Sequence, residues 1–440
     1  EELDSVKRVL VLGGGWSGLT AAVNAAQAGY EVVVVEKDKQ LGGYAGKMHK
    51  TIPFAAPYAQ AHETGVEQKI SAVQGNDKIT VYTGSKLEKI AGQPGDFEAT
   101  LNTGSGQETV KVGAVVVATG WAAQDDKFLA PFGYGALPNV VTSMQVEEMA
   151  KEGTIKRPSD GKTPQSVLFL TGFGDKLEQF AEEEKAQAEA EAKKAEQPSD
   201  DDEPAIAEEF KKTESYRHLP YTSEITSLTA LKQARYVREM APASMAYMVY
   251  EHMMVPGVNE LYYKSAQDDP GIMLTKGDIG AIKEGPDGKV QVEVFNTLIG
   301  EDILLEVDML VVPTAMVPTT ALEPVIQLQY RQGEAFPDLE LFDGFADSNY
   351  ICFPYETRRT GIYAAGSVRQ PMTLATSETD ALGAALKSIQ CIESVNRGMA
   401  VHPRSGDMTY PIFNFTRCTQ CKRCTEECPF GALDDDEKGT

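Results

Sequence analysis

The chain has 440 residues, enough for two or three domains, and 42% hydrophobic content supplies ordinary cores. A formal net charge of −24 argues against nucleic-acid partners, whose binders need a basic footprint, and against docking on anionic lipid. No apolar run approaches the roughly 20 residues of a membrane span and no signal-peptide core precedes the first strand, so a cytoplasmic chain is expected, peripheral to the inner membrane only through a partner.

Residues 7–12 (KRVLVL) are an apolar, β-branched run suited to a buried parallel strand. Glycines follow, then an Ala-rich helix from Trp16 to Ala28, a stop at Gly29 and a second strand over Glu31–Glu36. A strand is expected at 78–84 and a meander over 86–112 with turns at Gly95 and Gly104, closing in Ala114–Gly120 (AVVVATG). The order then recurs in weaker form. A strand at Ser166–Leu170, a helix over 226–240 and a strand at Met245–Tyr250 lead into a second meander over 279–306. That meander turns at Pro286-Asp287-Gly288 and ends in Asp308–Ala315 (DMLVVPTA). The expected class is α/β, with two tandem Rossmann-like dinucleotide-binding domains. Residues 176–215 are almost pure Glu, Ala, Lys, Gln and Asp without an apolar stripe. They read as an insertion, a solvated helix with a disordered acidic loop, or as a docking arm for a basic partner.

Gly13-Gly14-Gly15-Trp16-Ser17-Gly18 sits between strand and helix, as a dinucleotide fingerprint does. The first glycine permits the tight turn, the second lets backbone approach a pyrophosphate, and the third lets helix pack on strand. The helix N-terminus then offers N–H groups and a positive dipole end to the diphosphate, and Glu36 stands where an acid accepts from ribose hydroxyls. NAD would use the same features, but two more favour FAD. Leu41-Gly42-Gly43 is a second glycine pair beside which a longer nucleotide can pass. Gly361–Ser367 (GIYAAGS), a strand end before a helix from Thr376 to Val395, resembles the second flavin motif of the disulfide-reductase class of flavoproteins. Ser367 stands where that class usually has Asp, which implies an uncharged contact, while the helix dipole would still stabilise reduced flavin. The candidate FAD-binding residues are Gly13, Gly15, Trp16, Ser17, Gly18, Glu36, Lys37, Gly42, Gly43, Lys50, Ala118, Thr119, Gly120, Gly366, Ser367 and Thr376. Among Lys47, His49 and Lys50, Lys50 is the candidate for tuning the flavin ring, against a surface-loop reading. Arg358 and Arg359 are candidates for the diphosphate, a partner or surface salt bridges.

The second domain offers only Gly172 and Gly174 after its strand, with no third glycine or clear acid, so strong NAD(P)H binding is not expected there. Redox-active CxxxxC pairs are absent, and the five histidines show no metal spacing. Cys418-x2-Cys421-x2-Cys424-x3-Cys428-Pro429 is the bacterial ferredoxin run for a [4Fe–4S] cluster, and zinc would favour paired CxxC groups far apart. In two-cluster ferredoxins the fourth cysteine of each run serves the other cluster. Cys352, Cys391, Cys428 or a partner thiol could complete this one. The absent initiator Met allows a processed or truncated N-terminus, and the lack of a second cysteine run before Thr440 suggests a fragment whose natural chain goes on to a second cluster motif. Crowded cysteines after a long cysteine-free stretch read as a reducing compartment.

With these motifs placed, the chain resembles the A-type flavoprotein subunit of heterodisulfide reductase. Within that group it is most similar to the B-type subunit of the quinone-interacting membrane-bound oxidoreductase of sulfate reducers. The matching runs include LGGYAGKMHK (41–50), KRPSDG (156–161), LTALKQARYVRE (228–239), YRQGEAFPDL (330–339), ICFPYETRRTGIYAAGSVR (351–369), HPRSGDMTYP (402–411) and CTQCKRCTEECPFGAL (418–433). Relatives commonly carry a Cys-Ser-x-x-Cys-Cys run where this chain has Thr222, Thr226 and Ser227, so thiol or cluster chemistry is not expected there.

The resemblance implies an electron-transfer subunit holding FAD and [4Fe–4S] in a multi-subunit redox complex. Its partners would be the B- and C-type subunits of heterodisulfide reductase or the A- and C-type subunits of the quinone-interacting enzyme, with a homodimer within the complex an option. The expected division is an FAD domain in two parts (1–150 and 331–400), a second Rossmann-like domain (151–330) and an iron–sulfur segment (401–440). The rival readings are a stand-alone NAD(P)H-dependent flavin oxidoreductase and a structural subunit whose flavin never cycles.

Overall fold

The computed structural model describes residues 5–172, 222–323, 345–346, 354–357, 359–399 and 401. The expected insertion at 176–215, Gly174, Arg358, Cys352 and the run Cys418, Cys421, Cys424 and Cys428 lie outside them.

The first domain opens β1 (Arg8–Leu12), α1 (Trp16–Gln27), β2 (Glu31–Val35), α2 (Val66–Gln74), β3 (Ile79–Tyr82). The antiparallel meander β4 (Lys86–Gln93), β5 (Asp96–Thr103), β6 (Gly106–Val112) follows, and β7 (Ala114–Val117) returns to the sheet. The parallel order is β7-β1-β2-β3, and a strand from far along the chain, Ile362–Ala364, adds itself outside β7. The apolar runs are continuous because both faces are covered. Val9, Val11, Val32 and Val34 pack in one buried cluster with Ala22 and Ala25 of α1 and with Ala381 and Ala384. Leu10, Leu12, Val33 and Val35 pack in another with Ile90, Phe97, Leu101 and Val112 of the meander.

Two short strands mark the crossing to the second domain and the way back. β8 (Trp121–Ala123) leads out, and β9 (Val140–Thr142), α3 (Ser143–Lys151) and β10 (Ser166–Thr171) follow. Then come α4 (Ser223–Met240), β11 (Met245–Tyr250), α5 (Asn259–Gln267), β12 (Ile272–Glu284), β13 (Val290–Asn296), β14 (Glu301–Val307) and β15 (Met309–Val312). β16 (Met316–Pro318) pairs antiparallel with β8, and after α6 (Thr319–Leu322) the chain returns to the first sheet as β17 (Ile362–Ala364) before α7 (Leu374–Asn396). The second sheet has the order β14-β13-β12-β11-β10-β15-β9. Its strands repeat the two-sided burial: Val167, Phe169, Ala246 and Met248 face Leu231, Ala234 and Tyr236 of α4, and Leu168, Leu170 and Val249 face the meander.

Three differences from the sequence reading have local causes. β9 pairs in register with β15 in the second sheet, ahead of the boundary expected after residue 150, because three buried residues are too short a run to announce a strand. β12 begins at Ile272, before the expected meander, since its first half pairs parallel with β11 and only its second half antiparallel with β13. α3 went unread because two of its four buried positions are polar, Ser143 and Glu147 beside Val146 and Ala150.

Candidate flavin cleft

The α1 N-terminus opens into a cleft of about 400 Å³, ordinary for a cofactor pocket. The glycines leading to it act differently. Gly13 has φ of +102°, which side chains rarely adopt, and a Cβ there would overlap the Ala118 carbonyl. A Cβ at Gly18 would overlap the Gly13 carbonyl, so this glycine lets α1 lie on its strand. Gly15 is unlike both: the nearest atom to its missing Cβ is the Gly43 Cα, 3.9 Å away. The protein's own packing does not require glycine there, and the space beside it belongs to the cleft that Gly15 and Gly43 both line.

Gly15 is also the N-cap of α1, and no side chain caps the helix, which leaves the first N–H groups and the positive dipole end for an anion. Glu36, at the end of β2, accepts the Gly14 N–H at 2.6 Å on one oxygen and the Asp38 N–H at 2.8 Å on the other. A carboxylate has about four acceptor sites, so Glu36 keeps capacity for hydroxyls in the cleft it lines. An anion cradle, a space where a Cβ would stand and a fixed carboxylate fit the diphosphate and ribose of a dinucleotide.

The far side is built by other elements. Gly366 donates its N–H to Asp380 of α7 at 2.7 Å, and the Arg369 Nε stands 3.1 Å from the same carboxylate. Burial raises the Asp380 carboxyl above its ordinary range, with Arg369 opposing. A Cβ at Gly366 would overlap the Ser17 hydroxyl, and the Trp16 indole N–H donates to the Leu374 carbonyl at 2.9 Å. The starts of α1 and α7 are therefore fastened side by side, and Ser367, Thr373 and Ser377 face the cleft. The Tyr44 ring stacks on Trp121 at 3.8 Å and 10°, with the Lys47 ammonium 4.8 Å from the Tyr44 centroid. Burial raises the Tyr44 phenol.

The second domain closes the cleft with a charged pair that the sequence reading missed. Lys232 of α4 and Glu147 of α3 line it, 4% and 3% exposed, with Nζ and Oε1 2.8 Å apart. Glu147 also accepts from the Gln233 amide (3.0 Å) and the His49 N–H (3.0 Å), and Lys232 donates to the Lys50 carbonyl (2.8 Å). The available signal was Lys232-Gln233 between the apolar residues Leu228, Ala230, Leu231, Ala234 and Val237 that α4 buries. Its partner lies far off in sequence, so periodicity alone could not supply it.

Of the residues expected at a flavin, Gly13, Gly15, Trp16, Ser17, Glu36, Lys37, Gly43, Ala118, Thr119, Gly120 and Ser367 line this one cleft. Gly18 packs behind it on Gly13, Gly42 against Ile70 and Val66, and Gly366 against Ser17. Thr376 donates its N–H to the Thr373 hydroxyl at 3.2 Å on the exposed start of α7. Lys50 turns its ammonium to Glu239 at 2.7 Å instead of lining the cleft. The position at the cleft wall belongs to Lys232. Burial, then Lys50, lowers the His49 imidazole. Arg359 shares the turn before β17, where its N–H donates to the Thr357 hydroxyl at 3.2 Å.

Cys391 is buried in the first domain's core, and burial pushes its thiol up to about 12, the setting of an inert core thiol. Among the described residues no group of three or more His, Cys, Asp or Glu could hold a metal ion. At the positions where the resembled family carries cysteines, Thr171 lies 3.4 Å from Thr226 and 3.3 Å from Ser227, hydroxyl to hydroxyl. Gly172 has φ of +77° and a Cβ there would overlap the His252 carbonyl, so this position requires glycine as Gly13 does. No described helix is long and apolar enough to cross a membrane.

Residues 7–157 match the pyridine nucleotide-disulphide oxidoreductase family, and residues 411–434, which hold all four crowded cysteines, match the 4Fe-4S binding domain. The chain is 24% identical to the second A-type iron-sulfur subunit of the CoB–CoM heterodisulfide reductase of Methanopyrus kandleri, covering 99% of this chain and 71% of that protein. It is 22% identical to the A-type subunit of the H(2):CoB-CoM heterodisulfide,ferredoxin reductase of Methanothermobacter marburgensis, covering 98% and 70%. Among solved structures, thioredoxin reductase of Lactococcus lactis shares the fold at a TM-score of 0.52 and 14% identity, covering 88% of this chain and 99% of that one. The tandem α/β architecture and the ferredoxin-type segment read from sequence both stand. Over nearly its whole length the chain is similar in sequence to A-type subunits of heterodisulfide reductase.

Proposed function

We propose that the chain is the FAD- and [4Fe–4S]-containing electron-transfer subunit of a multi-subunit oxidoreductase of anaerobic energy metabolism. The observation that carries this reading is the opening beside Gly15, a space no protein atom occupies at the uncapped start of α1. Gly13, Gly15, Trp16 and Ser17 would hold the diphosphate, Glu36 with Lys37 a ribose, and Gly43, Ala118, Thr119, Gly120 and Ser367 the remainder of the nucleotide. Gly18, Gly42 and Gly366 would shape the same site from behind, and Thr376 would orient the start of α7. When bound, FAD supplies reversible one- and two-electron exchange. The chain's part is placement and electrostatics. Lys232 holds a positive charge at the wall, Glu147 fixes it there, and the buried floor excludes water.

Cys418, Cys421, Cys424 and Cys428 would supply thiolates to the cluster. Partner subunits of the heterodisulfide-reductase B and C kind, or of the quinone-interacting A and C kind, would take up or deliver electrons, in the cytoplasm or at the inner membrane. The second domain's two glycines without a third or a clear acid speak against the NAD(P)H-dependent rival. The test is anaerobic purification followed by flavin extraction and reduction of the holoprotein. FAD should be released, and a low-potential one-electron donor should bleach it while NADH and NADPH do not. Rapid bleaching by either nucleotide would replace this reading with the stand-alone reductase.

A further inference from the structure

Only two crossings, at β8 and β16, carry the chain out to the second domain and back among the described residues. Domains joined in this way move relative to each other by default unless their interface is extensive. Here a segment of the first domain reaches across. After Lys47 the chain runs along α3 and α4, and the Tyr236 hydroxyl grips the Lys50 peptide from both sides. It accepts the Lys50 N–H at 3.0 Å and lies 3.1 Å from the Lys50 carbonyl, to which it donates. The Lys232 ammonium donates to the same carbonyl at 2.8 Å, and the His49 N–H donates to Glu147 at 3.0 Å. Ile52 is buried in the second domain's core beside the residues of α4. The Ser265 hydroxyl, on α5, lies 3.1 Å from the Ala59 carbonyl and 2.7 Å from the Tyr262 carbonyl. Tyr236 is fully buried, so water is poorly placed to replace its two bonds to Lys50.

We propose that Tyr236 is a positioning residue: by gripping the Lys50 peptide it locks the second domain onto the flavin domain and holds the Lys232–Glu147 pair at the cleft wall. The second domain is then a fixed wall of the flavin site and not a swinging one. The geometry does more than tie two surfaces together. The Lys50 carbonyl and the Glu147 carboxylate are the two acceptors of the Lys232 ammonium, so the strap sets where that cation stands. Removing the phenol oxygen leaves the part-buried Lys50 N–H without its partner, which weakens the tie between the two domains. The role toward the flavin rests on the proposed cofactor; the lock itself does not.

The test is Tyr236→Phe in the full chain, read in two ways. The first uses spin labels on exposed positions of the two domains, Lys89 and Glu284, without reference to cofactor. Wild type should give one narrow distance and Y236F a broadened one, with hydrogen exchange at the Lys50 and Thr51 amides about tenfold faster or more. The second is the flavin midpoint potential of the holoprotein, which should move in Y236F and stay put in Glu239→Gln, a change at the strap's exposed rim. Unchanged distances and exchange in Y236F would overturn the lock. A loosened Y236F with an unmoved potential would overturn the positioning of Lys232. A chain that contains no FAD but still loosens in Y236F would sink the cofactor reading alone. Should Y236F fail to fold, Ile52→Ala weakens the strap with the phenol in place and is read by the same distances and exchange rates, with the same outcomes deciding.

Discussion

Single residues in the cleft separate two kinds of glycine. At Gly18 a Cβ meets the Gly13 carbonyl, whereas at Gly15 it meets nothing nearer than the Gly43 Cα at 3.9 Å. Gly18→Ala should therefore destabilise the fold by about 1–3 kcal/mol through overpacking, seen as a lower denaturation midpoint. Gly15→Val should cost no more than about 1 kcal/mol, the loss of a glycine N-cap, yet cut retained FAD about tenfold or more, measured by flavin released per chain. If both variants lose stability equally, the opening beside Gly15 is a packing feature and not a nucleotide site. The buried pair gives a second test. Lys232→Met leaves Glu147 charged at 3% exposure with its cation gone, which should cost about 3–5 kcal/mol. Adding Glu147→Gln should recover part of that loss, because a neutral amide tolerates the site better than an unpaired carboxylate. A double variant less stable than the single one would contradict this account.

At the scale of elements, legibility followed locality. The β1–glycine–α1–β2 unit could be read because strand, turn and helix are contiguous and each residue's reason lies within a few positions of it. α7 was legible for the same reason, with its Thr373 cap accepting the Thr376 N–H. The flavin-facing side of the second domain was not. Glu147 and Lys232 come from different helices, and each is a charged residue on a buried stripe, which periodicity counts as an error when it is in fact a contact. Lys50 shows the converse. Its glycine-rich neighbourhood suggested the cleft, but tertiary bonding to Tyr236 and Glu239 turned its backbone and side chain elsewhere.

The packing of α7 on β17 carries a pH prediction of its own. Burial raises the Cys391 thiol to about 12 and the neighbouring Tyr363 phenol well above its ordinary value. Glu356 adds to both shifts. Groups raised in the folded state contribute stability that is whole below their unfolded values and is lost as pH climbs toward the folded ones. Stability should thus fall above about pH 9, by about 1.4 kcal/mol per pH unit for each group titrating. Cys391→Ala should flatten that slope without abolishing it, since Tyr363 remains. Denaturant midpoints between pH 8 and 11 would show this, and an unchanged slope would refute it.

The whole molecule combines a cleft walled by both domains, the proposed flavin site, with a cysteine run that matches the 4Fe-4S binding domain. Neither part alone explains the other. A flavin needs a source and an exit for electrons, and the second domain's glycine turn lacks a third glycine and a clear acid, which points to the cluster and a partner as the route. The two parts should therefore be separable in binding and inseparable in turnover. Cys421→Ser and Cys424→Ser each remove one thiolate from the run, at positions remote in sequence from every residue assigned to the flavin. Each should leave FAD content at the wild-type level while abolishing the cluster's broad visible absorbance and its reduced-state paramagnetic signal. In the assembled complex, flavin reduction through a partner protein should slow by orders of magnitude, while direct chemical reduction of the flavin remains fast. Undiminished reduction through the partner without the cluster would mean that electrons reach the cleft another way, and the chain would then have to be read as a flavin site with an ornamental cluster.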